Sequence, residues 1–275
     1  MRFHIVDAFT DRPFAGNPAG VCLLPAGEWP VDPWMQRVAA EMNHSETAFA
    51  LPVPDKADAD WAIRWFTPVV EAKLCGHATL ATAHVLRTER GLLGTMRFSS
   101  RQHGILVTHA DEESSITLDF PAATGTPTPV PEGLLEALAA KPEATLHPPA
   151  LGDLLVVLPD EATVRAVAPD WNVVADLTRR AGLRGVIITA PSAEPGLEYD
   201  FVSRFFAPAS GIPEDPVTGG AHTVLAPYWS ARLGRDRLTG LQASEHTGLV
   251  RTALHGDRVH LTGDAVSVMD GTLRA

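Results

Sequence analysis

The 275-residue chain has few cysteines and few basic residues, and both shortages restrict its function. Its two cysteines, Cys22 and Cys75, cannot form a disulfide framework, which favours a reducing, cytoplasmic location. Lys and Arg number 22 against 33 Asp and Glu, giving a formal net charge of −11. A nucleic-acid-binding protein needs a basic face, so this charge and the lack of a Lys and Arg cluster argue against nucleic acid as a partner.

Long apolar runs and familiar cofactor motifs are also lacking. No run of about 18 apolar residues predicts a membrane-spanning helix, so we expect no membrane partner. The first seven residues are typical of a strand rather than a signal peptide. The eleven histidines show no His-x-x-x-His spacing and the cysteines no Cys-x-x-Cys spacing, so no metal is expected. No dinucleotide fingerprint or phosphate loop is present, so no cofactor is expected.

The sequence contains a near-copy of one of its own segments. The run Arg64–Pro68 recurs 140 positions later (204 − 64) as Arg204–Pro208, and Cys75–Thr79 corresponds to Thr218–His222 at an offset of 143 (218 − 75). Both Cys75–Thr79 and Thr218–His222 lead into a largely apolar helical pattern, which is typical of a buried helix. Chance similarity of short apolar segments is the alternative. The paired motifs favour an α+β fold with two similar, pseudo-twofold-related halves, each with many strands around one buried helix.

Alternating apolar residues predict strands around these helices, and a Pro-rich stretch predicts a domain boundary. A further helix is predicted over 32–42, beginning at an acidic cap with Pro33 at its first position. Residues 121–131 resemble a linker. The predicted domains are therefore 1–120 and 132–275, with a last strand able to pack on the first domain. The predicted strands are Phe3–Ala8, Gly20–Leu24, Thr47–Leu51, Ile63–Phe66, Gly104–Thr108, Ser115–Phe120, Leu154–Leu158, Gly185–Thr189, Tyr199–Phe205 and Val259–Val268.

The two small-residue runs predict a site for an anion. Gly76, Gly219 and Gly220 let a ligand approach the backbone at the start of a helix, where free amides and the helix dipole favour a carboxylate or a developing enolate. Helix capping with tight packing is the alternative. A matched pair of such runs favours binding, and two such helix ends facing each other would form a clamp for a small anionic substrate.

Three carboxylates, at two places in the sequence, lie next to these elements. Glu46, before an apolar strand, is a candidate general acid/base because partial burial raises a carboxyl pKa. Its alternative is a capping role with Asn43. Glu214 and Asp215 precede the second glycine run, where they hold a polar substrate group or form a solvated turn. His77, inside the first run, is a candidate donor or second proton carrier, with a structural role as the alternative.

The run Pro13–Gly20 predicts a turn between the first two strands. Asn17 within it either reaches the site or only forms the turn.

These motifs together resemble the PhzF-like family, named for the phenazine-pathway isomerase, over nearly the whole chain. The resemblance implies a diaminopimelate epimerase-type fold with a β-barrel-like sheet around each central helix and a site in the interdomain cleft. It also implies a cofactor-free isomerase in which Glu46 is the proton shuttle, His77 and Asp215 assist, and Gly76 contributes backbone contacts. A homodimer and a small carboxylic-acid substrate are implied as well. The motifs are Asp7–Thr10 with Pro13–Pro18, Asn43–Phe49, Leu74–Thr79 and Glu214–Gly219.

Two positions depart from related proteins. The phenazine enzyme has Ser where this chain has Gly220, so part of its hydroxyl contact with substrate is missing. Two-cysteine epimerases use one thiol on each face of the substrate, whereas here Cys75 is matched by Thr218, whose hydroxyl is a far weaker base than a thiolate. A dehydratase or epimerase acting through Cys75 and Thr218 is the alternative enzyme, and a non-catalytic small-acid-binding protein is the alternative of another class.

Overall fold

The chain folds as two units that each have their own core. The computed structural model describes residues 1–53 and 58–274. The first unit contains Met1–Phe120 together with His260–Ala275, and the second contains Pro121–Val259. The predicted linker, residues 121–131, therefore lies within the second unit, and the last residues of the chain belong to the first.

The first unit consists of strands around one long helix, with a shorter helix between β2 and β3. Its elements are β1 Arg2–Ala8, β2 Asn17–Leu23, α1 Asp32–Met42, β3 Glu46–Pro52, β4 Trp61–Phe66, β5 Glu71–Ala72, α2 Gly76–Arg90, β6 Gly94–Ser100, β7 Gly104–Ala110 and β8 Ile116–Pro121. Two late strands complete it: β17 Arg258–Gly263, which enters the unit at His260, and β18 Ala265–Thr272.

The strands of the first unit pair around β1. Strand β1 is antiparallel to β2 and to β18, whereas β2 and β3 run parallel because α1 returns the chain between them. Strand β3 is antiparallel to β4, which pairs with β5 and runs parallel to β6. Every α2 residue from Gly76 to Leu86 is buried, which agrees with the absence of a polar face in its sequence.

The second unit repeats this arrangement. Its elements are β9 Thr126–Pro127, α3 Leu134–Leu138, β10 Ala144–His147, β11 Asp153–Val157, α4 Glu161–Ala166, α5 Trp171–Ala181, β12 Gly185–Pro191, β13 Phe201–Ala207, a 3-10 turn Pro208–Ser210, β14 Ile212–Asp215, α6 Gly219–Leu233, β15 Arg237–Gln242 and β16 Gly248–His255. Strands β11 and β12 are parallel, β12 and β13 antiparallel, and β13 pairs antiparallel with β14 and parallel with β15. The same order of pairings links β2 to β6, so two similar α+β units are confirmed.

The central helices of the two units, α2 and α6, have the same length. Helices α2 and α6 each have 15 residues and begin 143 positions apart (219 − 76). Each ends at a glycine in the left-handed region, Gly91 and Gly234, both with φ of 66°. Among the described residues, no helix is both long and apolar enough to cross a membrane.

The recurring Arg–aromatic–Phe motif builds the same local structure twice. The Arg64 guanidinium donates to both oxygens of Glu71 on the adjacent strand at 2.7 Å and lies 5.0 Å from the Phe66 ring centroid. A planar guanidinium suits both contacts, since it can bind a carboxylate with two donors and stack on a ring. The repeat in sequence is thus a repeat in packing.

The second copy reproduces these contacts. Arg204 donates to Glu214 at 2.8 and 2.9 Å and also lies 5.0 Å from the ring of Phe206. Glu214 is therefore part of the framework of its unit rather than a second acid beside Asp215, which corrects the expectation that both hold a substrate group. Alternation along β14 turns the two side chains to opposite faces.

Pro227 explains why the predicted linker belongs to the second unit. Pro227 lies inside α6 and has no N–H, so the carbonyl of Thr223 lacks its donor within the helix. The backbone N–H of Ala123 donates to that carbonyl at 3.0 Å. The start of the 121–131 stretch is therefore bonded to the central helix, and the later pairing of β9 with β10 fixes it further.

Two local predictions need correction. Helix α1 spans the predicted 32–42, but its N-cap is Val31, and the Asp32 carboxylate pairs with Arg64 at 2.8 Å instead of capping the helix. Pro33 is consequently the second helical residue. The single strand predicted over 259–268 is divided at Asp264, whose carbonyl accepts a hydrogen bond from Thr10.

We expect Gly185→Ala to destabilise the protein by about 1–3 kcal/mol. A Cβ at Gly185 would lie 2.5 Å from Cζ of Phe205 and 2.7 Å from the carbonyl oxygen of Phe206, so the β12–β13 pairing would have to open. Urea unfolding would measure the loss. The control is Gly271→Ala, where a Cβ meets no atom within 4 Å. Equal stability of the two variants would contradict the assignment of close packing.

Candidate active site

Four side chains of the first unit converge where α2 begins. Asn17 is the first residue of β2, Glu46 is the first of β3, Cys75 is the N-cap of α2 and His77 is its second residue. Because β2 and β3 are parallel, with Ala19 opposite Glu46, their starting ends lie at the same edge. The four predicted residues are therefore neighbours.

His77 is at the centre of this cluster. Its Nδ1 lies 3.1 Å from Nδ2 of Asn17 and 3.5 Å from Sγ of Cys75, and its Nε2 lies 3.5 Å from Oε2 of Glu46. An amide nitrogen only donates, so the Asn17 contact makes Nδ1 the acceptor and leaves the ring proton on Nε2, directed at Glu46.

Burial decides which role His77 can have. Its ring is buried, and this burial, with a smaller contribution from nearby His44, lowers its pKa to about 3. The imidazole is therefore neutral at pH 7 and acts as a hydrogen-bond donor. The lowered pKa favours the donor role over that of a second proton carrier near neutral pH, and the role of His77 in catalysis stays a prediction. His44, itself shifted to a lower pKa by burial, is a neighbour that sequence reasoning did not single out.

Glu46 is held by a strand and not by a helix end. Its side chain is 13% exposed, so it is largely surrounded by protein while part of it is reached by solvent. Asn43, the proposed capping partner, is instead the C-cap of α1 in the left-handed region, with φ of 53°. The capping alternative for Glu46 is therefore wrong.

The two cysteines have different surroundings. Cys75 lies beside His77 at the start of α2 and makes no side-chain capping bond. Cys22 is fully buried among apolar residues, and burial raises its pKa to about 11. A thiol with a raised pKa is unreactive near neutral pH. Cys75, beside His77, is therefore the better candidate for a role in the reaction.

A second cluster lies at the start of α6. The Thr218 hydroxyl donates to Oδ2 of Asp215 at 2.6 Å, and Gly219 and Gly220 form the first two helical residues. Thr218 is the N-cap without a side-chain capping bond, as Cys75 is in the first unit. The predicted residues of the second copy are thus brought together within their own unit.

Gln242 completes this second cluster and was missed from the sequence. It is fully buried; its Oε1 accepts from the backbone N–H of Thr218 at 2.8 Å, and its Nε2 donates to the carbonyl of Asp215 at 2.7 Å and to the Thr218 hydroxyl at 3.2 Å. Since an amide N–H can only donate, the hydroxyl proton of Thr218 points at Asp215. No local motif marks Gln242, because it comes from the end of β15, 24 residues later (242 − 218).

Arg184 is a further residue that the sequence did not reveal. Its guanidinium binds Asp153, a fully buried carboxylate, through two nitrogens and lies 5.0 Å from the ring centroid of Phe205. Burial raises the pKa of Asp153 and the adjacent Arg184 opposes that rise. A Cβ at Gly220 would lie 3.4 Å from this guanidinium, so a residue without a side chain suits the position.

We expect Gln242→Leu to lower the free energy of unfolding by about 3 kcal/mol, because a buried N–H and a buried carbonyl would lose their partners. Urea unfolding would measure the change. The exposed Gln102→Leu is the control and should change stability by less than about 0.5 kcal/mol. A neutral Gln242→Leu would contradict the assigned hydrogen bonds.

Comparison with known proteins shows the family to which the chain belongs. The family described as phenazine biosynthesis-like protein matches residues 6–271. A Pseudomonas aeruginosa protein named as an uncharacterized isomerase is 46% identical over 271 residues, covering 98% of this chain and 96% of that protein. The chain therefore belongs to the phenazine biosynthesis-like (PhzF) family.

Solved structures agree with this membership. The crystal structure of a PhzF-family phenazine biosynthesis protein from Enterococcus faecalis is 38% identical, with a TM-score of 0.88, and the match covers 100% of this chain and 99% of that one. A hydroxyproline epimerase from Agrobacterium vitis, 12% identical, has a TM-score of 0.61 over 98% of this chain and 91% of its own and shows likeness of fold alone. The predicted family and epimerase-type fold are confirmed.

The names of relatives also indicate the class of enzyme. Three curated relatives, at 46%, 46% and 39% identity, carry the name isomerase. The prediction of an isomerase is confirmed as a class.

Proposed function

We propose that this protein is a cofactor-independent isomerase that moves a proton on a small carboxylic acid, with Glu46 as the general acid/base. The observation that carries the proposal is the position of the Glu46 carboxylate. It is largely enclosed yet reached by solvent, it lies 3.5 Å from a neutral His77, and it stands beside the start of a buried helix. A general base needs this combination of access for a substrate and limited access for water.

In the proposed reaction, one oxygen of Glu46 takes a proton from an activated carbon of the substrate. The electron pair of the broken C–H bond moves into the conjugated system of the acid, and the developing negative charge is stabilised by the Nε2–H of His77 and by amides such as that of Gly76. The protonated Glu46 then returns the proton to another carbon. The double bond is shifted, no electrons are gained or lost, and Glu46 regains its charge.

We also propose that Asp215 and the glycines at the start of α6 hold polar groups of a small acid, as the family resemblance implies. The hydroxyl of Thr218 already uses its proton on Asp215, so Gly219 and Gly220 offer backbone donors for a carboxylate. A structure with a bound carboxylate would test this. We expect its oxygens on the amides of Gly76 or Gly219, and oxygens bound elsewhere would contradict it.

One observation favours the alternative of an epimerase or dehydratase acting through Cys75 and Thr218. The sequence suggested that a threonine hydroxyl by itself is too weak a base. In the structure, however, Asp215 accepts a hydrogen bond from the Thr218 hydroxyl at 2.6 Å. A carboxylate in that position can take the proton as the oxygen becomes reactive. Loss of all activity in Thr218→Val, with full activity in Glu46→Gln, would favour this alternative.

The homodimer and the cytoplasmic location stay predictions. Light scattering at micromolar concentration tests the first, with a dimer mass expected and a monomer mass contradicting it.

The experiment for the proposed function is a screen in deuterated water. Cyclic and unsaturated small carboxylic acids are incubated with the wild-type protein, and mass spectrometry detects incorporation of deuterium at carbon. Incorporation with at least one acid is expected. Saturable calorimetric binding without incorporation would instead indicate the small-acid-binding protein.

A further inference from the structure

We propose that Glu46, Cys75 and His77 bind a borderline-soft divalent cation of the Zn²⁺ class, and that the bound cation inhibits the enzyme. Binding rests on geometry alone, whereas inhibition rests on the proposed role of Glu46. Each side chain offers one ligand atom, and the three ligand atoms all lie within 4.8 Å of one another. Carboxylate oxygen, thiolate sulfur and imidazole nitrogen are the three ligand types that Zn²⁺ prefers in proteins.

The separations are close to those of a coordination shell. Oε2 of Glu46 lies 3.5 Å from Nε2 of His77, and Sγ of Cys75 lies 4.0 Å from the same nitrogen. Bonds of about 2.0–2.3 Å in a tetrahedral site place neighbouring ligand atoms about 3.3–3.6 Å apart. The Glu46–His77 separation falls in this range, and the Cys75–His77 separation exceeds it by about 0.4 Å (4.0 − 3.6), which side-chain torsions can close. Three protein ligands leave a fourth position for water or for a substrate oxygen.

The charges also suit a divalent cation. His77 would bind as a neutral imidazole, which adds no charge of its own. A cation that binds displaces the proton of the Cys75 thiol, which is released to water, and the thiolate and the Glu46 carboxylate then balance the two positive charges. A neutral cluster is favoured where the ligands are buried.

Asn17 provides the hydrogen bond that orients the ring. With Nε2 on the cation, the ring proton moves to Nδ1, 3.1 Å from the Asn17 amide, whose oxygen accepts it after a half-turn of the side chain. The spacing rules for metal motifs predicted no metal, because Glu46 and Cys75 are 29 residues apart in the sequence (75 − 46) and meet only in the fold.

Titration with Co²⁺, which replaces Zn²⁺ and absorbs visible light, tests the site in the full-length protein. We expect one equivalent to bind and to give a thiolate-to-cobalt charge-transfer band. Cys75→Ser should lose the band, and Glu46→Gln should weaken binding by at least about tenfold. Cys22→Ser, at the buried thiol with a pKa of about 11, is the matched control and should keep both band and affinity.

Three outcomes would overturn the proposal: no saturable one-to-one binding, a band that survives in Cys75→Ser, or a band lost only in Cys22→Ser. If Cys75→Ser fails to fold by circular dichroism, alkylation of the wild-type protein decides instead. Zn²⁺ should then protect Cys75, located by mass spectrometry, and unprotected alkylation would refute the site. Binding of Co²⁺ with unchanged turnover in Glu46→Gln would refute the proposed function while leaving the metal site standing.

Discussion

Glu46→Gln is expected to lower kcat by roughly 10²–10⁴, which is the contribution typical of a positioned general acid/base. The substitution keeps the size and the hydrogen-bonding capacity of the side chain but removes its ability to take and return a proton. Its neighbours should keep their arrangement, because the His77 ring is already neutral and still finds an acceptor in the amide oxygen. Steady-state turnover of an acid found in the deuterium screen measures the effect.

The control for this substitution is Glu41→Gln, on the exposed side of α1. It makes the same chemical change without touching the cluster, so kcat should stay within about twofold of the wild type and stability within about 0.5 kcal/mol. Equal losses in the two variants would show that the effect is one of charge or folding and not of proton transfer.

Acid is expected to destabilise the protein steeply between pH 6.5 and pH 4, well before most carboxylates titrate. Among the described residues, three buried histidines have strongly lowered pKa values: about 3 for His77 and about 4 for His84 and His222, each chiefly because of burial. The unfolded chain takes up protons below its pKa of about 6.5, whereas the folded chain does not. Stability from each neutral histidine is therefore present above pH 6.5 and lost as pH falls towards the folded pKa.

The expected size is about 2 kcal/mol for each of these histidines at pH 5, since each pH unit between the two pKa values corresponds to about 1.4 kcal/mol. Urea unfolding at pH 7 and pH 5 measures it. His84→Gln should reduce the difference by about 2 kcal/mol, because glutamine keeps a polar partner for Ser267 but does not titrate. The exposed His103→Gln should leave the difference unchanged. A protein equally stable at both pH values would contradict the account.

The parts of the site that the sequence predicted are those coded by short motifs. The glycines before α2 and α6, the cysteine–threonine match and the order of the two copies are visible as local patterns, and the structure places them at equivalent helix starts. The recurring Arg–aromatic–Phe motif also predicted strands β4 and β13. In these strands Arg64 and Arg204 each bind a glutamate on the next strand. Local chemistry and fold agree at these points.

The parts that the sequence did not reveal depend on long-range pairing. Gln242 reaches Thr218 from the end of a later strand, and Arg184 is fixed by Asp153, 31 residues earlier (184 − 153). The Ala123 N–H that supports Thr223 likewise cannot be read from either segment alone. Such contacts are set by sheet register, which a period-two pattern does not specify between distant strands.

The boundary between the units shows the same limit. Strand β18 is antiparallel to β1 along its whole length, joining Arg2 to Thr272, so the end of the chain belongs to the first unit. Alternation predicted a strand there and left its pairing open. The second domain was predicted over 132–275 with a last strand able to pack on the first domain, and the pairing of β18 with β1 assigns that strand to the first unit.

The most direct test of the central claim is position-specific exchange of substrate hydrogens in deuterated water, followed by NMR for the wild type and Glu46→Gln side by side. The wild type should introduce deuterium at the carbon that loses the proton and at the carbon that gains it, while Glu46→Gln should do so at least about 100-fold more slowly. Equal rates of incorporation in the two proteins, or no incorporation by the wild type with any acid of the panel, would contradict proton transfer by Glu46.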